Sequence, residues 1–368
     1  MAHNVLYALV DKGYQFSNWY EKSMEGLTNA ARKKQVLVQT LFEPEDLLLE
    51  KRVAPPVLVS TNATWLQSVV GLFLNRHLKP IVMGAATENL GKEVSGAMPD
   101  RKLLTAEMVN YFVSSGRTRL AFVGYEPKDI NDAERAHAFL QAVSVHNLSA
   151  AQEDLFAIHE GLDRCISTFL HVYDRYTGVL CPNDFVAVKL ITIAKAQGIR
   201  LPEELYLAGS GDIALCEYTS PTLTTTTLDY HAIGEQTFYL WQALKNAPDL
   251  CPVKAILPTK IICRESTEGK PVLPHATITA GPVETIDPGL QGHNDLAALY
   301  AMENCLQQCD ELDRQLIRLA LEELSYDAIA ERLFITQGTA QYRMKKLCMW
   351  LGVNSRKEFA KRWRKLLN

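Results

Sequence analysis

The sequence predicts an α/β protein, with parallel sheets flanked by helices and a small all-α domain at the C-terminal end. Three observations predict it. From Val5 to about Glu265 short β-like runs alternate with amphipathic helical stretches, the pattern of strands joined by crossover helices. Residues 268–294 contain Pro271, Pro274, Pro282, Pro288 and several glycines, and read as an extended linker. Beyond them lie amphipathic helices that end in a strongly basic tail.

Strands are expected over Val5–Val10, Val36–Leu41, Val57–Ser60, Pro80–Gly84, Leu120–Tyr125, Leu155–His159, Gly178–Cys181 and Leu205–Gly209. Helices are expected over Trp19–Lys33, Trp65–Leu74, Ala106–Ser115, Ala133–Val145, Leu162–Tyr173 and Phe185–Ala196. In such a fold, ligands belong at the carboxyl ends of strands, where loops meet helix N-termini. Four of these loops carry suitable side chains: the aromatic-rich Asp11–Tyr20, then Glu126–Arg135, Cys181–Asp184 and Gly209–Asp212. Each has a structural alternative, since aromatics pack lobe edges and Asp184 and Asp212 suit helix caps. Their joint placement at strand ends is the stronger signal for a small polar ligand.

After the linker, Asp295–Gln308 turns helical. Leu299, Met302, Leu306 and Cys309 follow a 3,4,3 spacing, which suits either a short dimer seam or a helix packed on its own sensor. Ser325 is then an N-cap with Asp327 in the first turn, and Ile329, Ala330 and Leu333 share a face. Phe334 and Ile335 fill a turn, and Thr336 caps again. Ala340, Met344, Leu347 and Leu351 line the inner face of the next helix until Gly352 stops it. Its outward face carries Gln337, Gln341, Tyr342, Lys345 and Lys346, side chains that hydrogen-bond base edges and phosphates. Two helices joined this way form a helix-turn-helix. Ser355–Glu358 reads as a capping box, and Phe359, Trp363, Leu366 and Leu367 line one face of a closing helix.

Charge supports double-stranded DNA as a partner. Ten basic residues face one acid, Glu358, between Arg332 and Asn368. From Glu311 on there are twelve basic and seven acidic residues, so residues 1–310 carry net −9 within an overall −4. A basic tail on an acidic body suits a nucleic-acid reader attached to something else. The N-terminus has no secretory pattern and no apolar run is long enough to span a bilayer, so a cytoplasmic protein with no membrane partner is expected. Eight cysteines without a Cys-x-x-Cys pair read as reduced, part-buried hydrophobes; no metal and no cofactor are expected.

Leu324-Ser325, Ile329–Leu333, Gly338-Thr339, Leu351–Val353 and Ser355-Arg356 resemble, in identity and spacing, the LuxR-type (GerE-like) DNA-binding domain, a four-helix unit of bacterial transcription regulators. The resemblance covers roughly the last sixty residues. It implies that the helix from Gln337 enters the major groove, with Gln341, Tyr342 and Lys345 toward bases and Thr339 and Arg356 toward phosphates. Two departures concern the start of the unit: the usual Leu-Thr-Pro-Arg-Glu opening is Cys309–Asp313 here, and a customary Gly is Glu323.

A second resemblance rests on Phe16–Tyr20 followed by Gly26, Gly116–Gly124, Glu134–Phe139, Val179–Asp184, Leu201-Pro202, Pro221–Thr225 and Leu257–Thr267. In this order they resemble the ligand-binding domain of LacI/GalR regulators, a two-lobed, periplasmic-binding-protein-like fold. The resemblance implies ligand positions at Ser17 and Trp19, a gripping guanidinium at Arg135 and a hydrogen-bonding amide at Asn183. Where that family has Gly-Phe/Tyr-Asp, this chain reads Gly209-Ser210-Gly211, so the usual carboxylate is missing unless Asp212 supplies it. The family carries its DNA-binding helices at the N-terminus; here the chain opens on the first sensor strand, and the C-terminal module takes their place.

The expected organisation is a two-lobed small-ligand sensor at 1–267, a linker and candidate dimer helix at 268–308, and a LuxR-type helix-turn-helix domain at 309–368. The function implied is a ligand-responsive bacterial transcription regulator, acting as a homodimer, in which a sugar-like or other polar metabolite controls DNA binding. An α/β enzyme with an interaction module is the first alternative, but no Gly-rich phosphate loop, His-Glu-x-x-His or Gly-x-Ser-x-Gly is present. A phosphorylation-controlled response regulator is the second, and the acidic pair after a first receiver strand is absent, with only Asp11 there.

Overall fold

The computed structural model describes residues 4–14, 17–48, 54–148, 152–247, 249–250, 252–268 and 296–367. Apart from its first residue, the expected linker at 268–294 lies outside the described residues.

Twelve strands form in chain order: β1 Val5–Val10, β2 Leu37–Leu41, β3 Val57–Val59, β4 Ile81–Met83, β5 Ser95–Pro99, β6 Leu120–Tyr125, β7 Leu155–Ala157, β8 Gly178–Leu180, β9 Tyr206–Ala208, β10 Thr225–Thr226, β11 Lys254–Leu257 and β12 Ile261–Ile262. The upper lobe is a six-stranded parallel sheet in the order β11-β5-β4-β3-β1-β2, and the lower lobe a four-stranded parallel sheet ordered β7-β6-β8-β9. β10 and β12 pair antiparallel. Helices cover both faces of each sheet, which is why β3, β4 and β6 are buried along their whole length. The chain crosses between lobes after β5, after β10 and after β11, so three connections form the hinge.

All eight expected strands are present. Among the described residues four further strands, β5, β10, β11 and β12, lie outside the expected set. β5 reads Ser-Gly-Ala-Met-Pro and lacks β-branched residues because the site is crowded: a Cβ on Gly96 would stand 2.5 Å from Met98 Cε and 2.8 Å from Thr87. The helix Tyr230–Asn246 was likewise unforeseen. It packs on Asn18–Lys33 at glycines on both sides, since a Cβ on Gly234 would lie 1.8 Å from the Ser23 carbonyl oxygen and one on Gly26 2.0 Å from that of His231.

The C-terminal part is a bundle of the helices Ala297–Gln307, Glu311–Leu321, Tyr326–Leu333, Gln337–Trp350 and Arg356–Leu367. Side chains mark its boundaries: Asp310 and Asp313 form a capping box, and Ser325 and Thr336 cap their helices through Ala328 N–H and Thr339 N–H. Phe334 and Ile335 occupy the turn as expected, Phe334 97% exposed with left-handed backbone at φ 54°. Of the two readings of the 3,4,3 spacing, packing on the chain's own sensor holds rather than the dimer seam: Leu299, Met302 and Leu306 are buried in a core shared with the lower lobe. That core runs from Val179 and Leu207 of the lower sheet through Cys305 and Leu306 to Met344, Leu347 and Trp363.

Gly234→Ala should destabilise the protein by about 1–3 kcal/mol through helix overpacking, outweighing a helix-propensity gain of about 1 kcal/mol. A urea midpoint lower than wild type checks it.

Candidate functional site

Between the lobes lies a narrow cleft of about 70 Å³. The upper lobe contributes Trp19, Thr61 and Gly84, the hinge Arg101, Leu228 and Tyr230, and the lower lobe the start of the helix Ile130–Val145 together with Pro182, Asn183 and Ser210. Gly84, at φ +78°, brings the backbone close beneath Trp19, whose ring also meets Tyr14 edge-on at 5.7 Å.

The lobes are latched on one side of this cleft. Thr61 Oγ1 donates to Asp129 and lies 2.8 Å from the Tyr14 hydroxyl. Ile130 N–H donates to Thr61 O at 2.8 Å and Ala63 N–H to Lys128 O at 3.0 Å. Asn131 accepts from Ala86 N–H at 3.1 Å and donates to Gly84 O at 3.3 Å. Asp129 also caps its helix by accepting from Asn131 and Asp132 N–H, and burial pushes its pKa up against these bonds. Closure thus depends on the residues that open one helix.

Of the five residues expected to hold ligand, three line the cleft and two do not. Trp19 does so half-buried. Arg135 is buried beside Asp132, its Nη1 donating to Oδ1 at 3.2 Å. Asn183 lines it too, although its Oδ1 accepts from Val186 N–H at 3.1 Å as a helix cap, leaving the amide nitrogen for a ligand. Ser17 is fully buried; its hydroxyl donates to Tyr14 O and accepts from Tyr20 N–H, so capping uses up the group expected to face the ligand. Asp212 does not replace the missing carboxylate, because it is drawn away to Arg264 Nη2 at 2.8 Å. Ser210 occupies the cleft wall instead, bonded to the Thr226 hydroxyl at 2.8 Å.

Sequence reasoning missed Arg101, Thr61 and Tyr230. Asp129, Asn131 and Asp132 lie in the Glu126–Arg135 loop it singled out. Arg101 follows the unrecognised β5, so no strand end pointed to it.

Behind the cleft, Asp184 is fully buried, accepting from the Thr225 hydroxyl at 2.5 Å and from Ile213 N–H at 3.1 Å. The next two amides, Ala214 and Leu215, donate to Glu303 at 3.1 and 2.9 Å. Glu303 belongs to the helix Ala297–Gln307, whose Cys305 Sγ approaches Leu347 O of the helix Gln337–Trp350 at 3.8 Å. A second contact sets the Trp363 ring against Tyr218, centroids 5.3 Å apart and tilted by 57°. The lower lobe and the C-terminal bundle are therefore joined by direct bonds.

On that bundle, Ala340, Met344, Leu347 and Cys348 of the helix Gln337–Trp350 are buried, while Gln337, Gln341, Tyr342 and Lys345 are exposed, Tyr342 at 71%. Thr339 is half-buried, its N–H donating to Thr336 Oγ1 at 3.1 Å. Lys346 differs from expectation: its ammonium sits 4.3 Å over the Trp350 ring. Arg356 is partly engaged too, donating to Leu324 O and stacked over Tyr326 at 4.8 Å. Arg343 bridges Asp310 and Asp313 at 2.8 and 2.7 Å and so fastens this helix to its neighbour. Among the described residues no helix is long and apolar enough to cross a membrane.

Burial pushes the Asp184 pKa up to about 6, with the Thr225 and Ile213 bonds opposing. A folded-state pKa above the unfolded value means the folded form binds the extra proton, so this group's contribution to stability falls as pH rises from about 4 to about 6. Asp184→Asn should remove that slope, which is worth on the order of 2–3 kcal/mol. Urea midpoints of both proteins between pH 4 and 7 check it.

The chain resembles known proteins over the sensor. Residues 109–267 match a family model described as a periplasmic binding protein-like domain. The NTD biosynthesis operon regulator NtdR of Bacillus subtilis is 27% identical over 164 residues, 43% of this chain and 50% of that protein. The HTH-type transcriptional repressor PurR of Aliivibrio salmonicida is 26% identical over 237 residues, 60% of this chain and 69% of the repressor. The chain thus spans half the length of NtdR and about two thirds of PurR. Among solved structures, the LacI family regulator CCPA of Weissella paramesenteroides with bound sucrose superimposes with a TM-score of 0.57 at 22% identity, over 72% of this chain and 98% of its own. This likeness shows the fold. Residues 109–267 therefore match a periplasmic-binding-protein-like domain, and the chain is similar to HTH-type transcriptional repressors such as PurR.

Proposed function

We propose that this protein is a ligand-responsive DNA-binding transcription regulator. A small polar metabolite closes the lobes around Trp19, Arg135 and Asn183, and the C-terminal bundle, a LuxR-type helix-turn-helix, binds operator DNA through the helix Gln337–Trp350. The observation that carries this reading is the outward face of that helix, where Gln337, Gln341, Tyr342 and Lys345 stand exposed over a buried apolar seam. Gln and Lys reach base edges and phosphates, and Thr336 caps a helix N-terminus that favours phosphate. Thr339 and the guanidinium of Arg356 flank it as phosphate contacts. The repressors this chain resembles are DNA-binding by name, and a solved neighbour holds sucrose. These support an effector of sugar size in the cleft.

Coupling runs through the bonds that join the lower lobe to the bundle. When the lobes move, Ser210 and Asn183 shift with Asp184, and Asp184 fixes the turn whose amides Glu303 binds. The bundle follows as one body, and in a homodimer this changes the spacing between two reading helices.

Lys345→Ala should weaken binding of the full chain to a mixed-sequence duplex and lower the slope of log affinity against log salt by about 1. Lys346→Ala should do less, since its ammonium is held over Trp350. Fluorescence anisotropy at several salt concentrations checks both. Unchanged affinity of the Lys345 variant throughout would remove this face from the interface.

A further inference from the structure

Arg101 is the charge that the cleft leaves unanswered. It opens the helix Arg101–Ser114 directly after β5, where the chain leaves the upper lobe. The side chain is 4% exposed and lies in the cleft wall. Nη2 donates to Gly84 O at 2.7 Å, but Nε and Nη1 are buried without any hydrogen-bond partner. Burial, reinforced by Arg135, pushes its pKa down to about 10, with Glu134, Tyr230 and Asp129 opposing. The guanidinium therefore remains a cation at neutral pH.

The nearby acids are engaged elsewhere. Asp129 accepts from Thr61 and from two backbone amides of its own helix. Asp132 accepts from Arg135 at 3.2 Å and from Glu126 N–H at 3.1 Å. Glu134 reaches Lys102 at 3.7 Å. The charge of Arg135 is thus matched, whereas Arg101 has one carbonyl and no bonded carboxylate. A desolvated cation with idle donors is strongly unfavourable, and an anion between the lobes removes the penalty. Arg101 also belongs to the hinge, so an anion bound there engages both lobes.

We propose that the molecule this cleft binds carries an oxyanion, a carboxylate or a phosphate, and that Arg101 binds that group. The proposal rests on the reading of the cleft as an effector site and narrows it to sugar acids and sugar phosphates over neutral sugars. Trp19 supplies an aromatic face for the remainder, and Asn183 an amide.

The test uses the full chain as wild type, Arg101→Met and Arg101→Lys. Thermal unfolding and calorimetric titration are run with sodium phosphate against sodium chloride at equal ionic strength, then with glucuronate, glucose 6-phosphate and glucose. A saturable response to an oxyanion is expected, with affinity about tenfold or more above that for glucose. Arg101→Met should abolish the preference and Arg101→Lys should recover part of it. Better binding of glucuronate assigns a carboxylate, and better binding of glucose 6-phosphate a phosphate. Folding is checked by urea, where Arg101→Met should match or exceed wild type because it deletes an unpartnered buried charge. Oxyanion binding undiminished in Arg101→Met, or no saturable response to any oxyanion in wild type, overturns the proposal. Wild-type affinity for glucose equal to or above that for both oxyanions also overturns it, while leaving the effector cleft standing.

Discussion

The carboxylate of Glu303 is the contact on which the arrangement of the molecule depends. It is 2% exposed, and its two oxygens accept from consecutive backbone amides of the lower lobe, Ala214 and Leu215. Backbone amides have no alternative partner once buried, and a buried carboxylate needs such donors, so neither side can release the other cheaply. Around this clamp the apolar core passes without interruption from the lower sheet into the C-terminal bundle, through Phe185 against Tyr300 at 4.4 Å and Tyr218 against Trp363 at 5.3 Å. The bundle is built onto the sensor, and lower-lobe movement is bundle movement.

The opposite end of the same chain of contacts is the latch between lobes. Asp129, Ile130 and Asn131 bind Thr61, Gly84 and Ala86 of the upper lobe, and the following turn of helix holds Asp132 and Arg135. One helix start thus both fastens the lobes and faces the cleft. Charge is balanced there only in part: Arg135 has its carboxylate and Arg101 does not. A closed cleft with one unmatched cation holds its lobes together at an electrostatic cost that a bound molecule can relieve, which is how binding energy becomes a preference for closure.

Much of this was legible in the residues. Strands of these sheets read as short apolar runs, whether buried throughout like β3, β4 and β6 or partly exposed like β2 and β7, so β1 to β4 and β6 to β9 stood out, as did the caps Ser325 and Thr336 with their periodic helices. β5 and the helix Tyr230–Asn246 did not. In β5 the sequence answers steric crowding with Gly96 and carries no apolar alternation, whereas the helix was overlooked although Ile233, Phe238, Trp241 and Leu244 are buried along it at helical spacing. In the site, Trp19, Arg135 and Asn183 sat in recognisable loops. Ser17 and Asp212 occupied equally recognisable positions, yet a helix cap and Arg264 had prior use for their oxygens. The claim of Arg264 on Asp212, distant in sequence, is invisible until the fold brings them together, whereas the cap at Ser17 is local. Lys346 fits the same account: the helical period places it on a face, and only the local surroundings decide that it sits over Trp350.

The central claim is that occupancy of the cleft is felt at the helix Gln337–Trp350. Coupling between two binding sites must be reciprocal. The most direct measurement is therefore the affinity of the full chain for DNA with and without the molecule that fills the cleft, and the affinity for that molecule with and without DNA. The account predicts that both change, by the same factor. DNA affinity that is indifferent to a saturated cleft would contradict it.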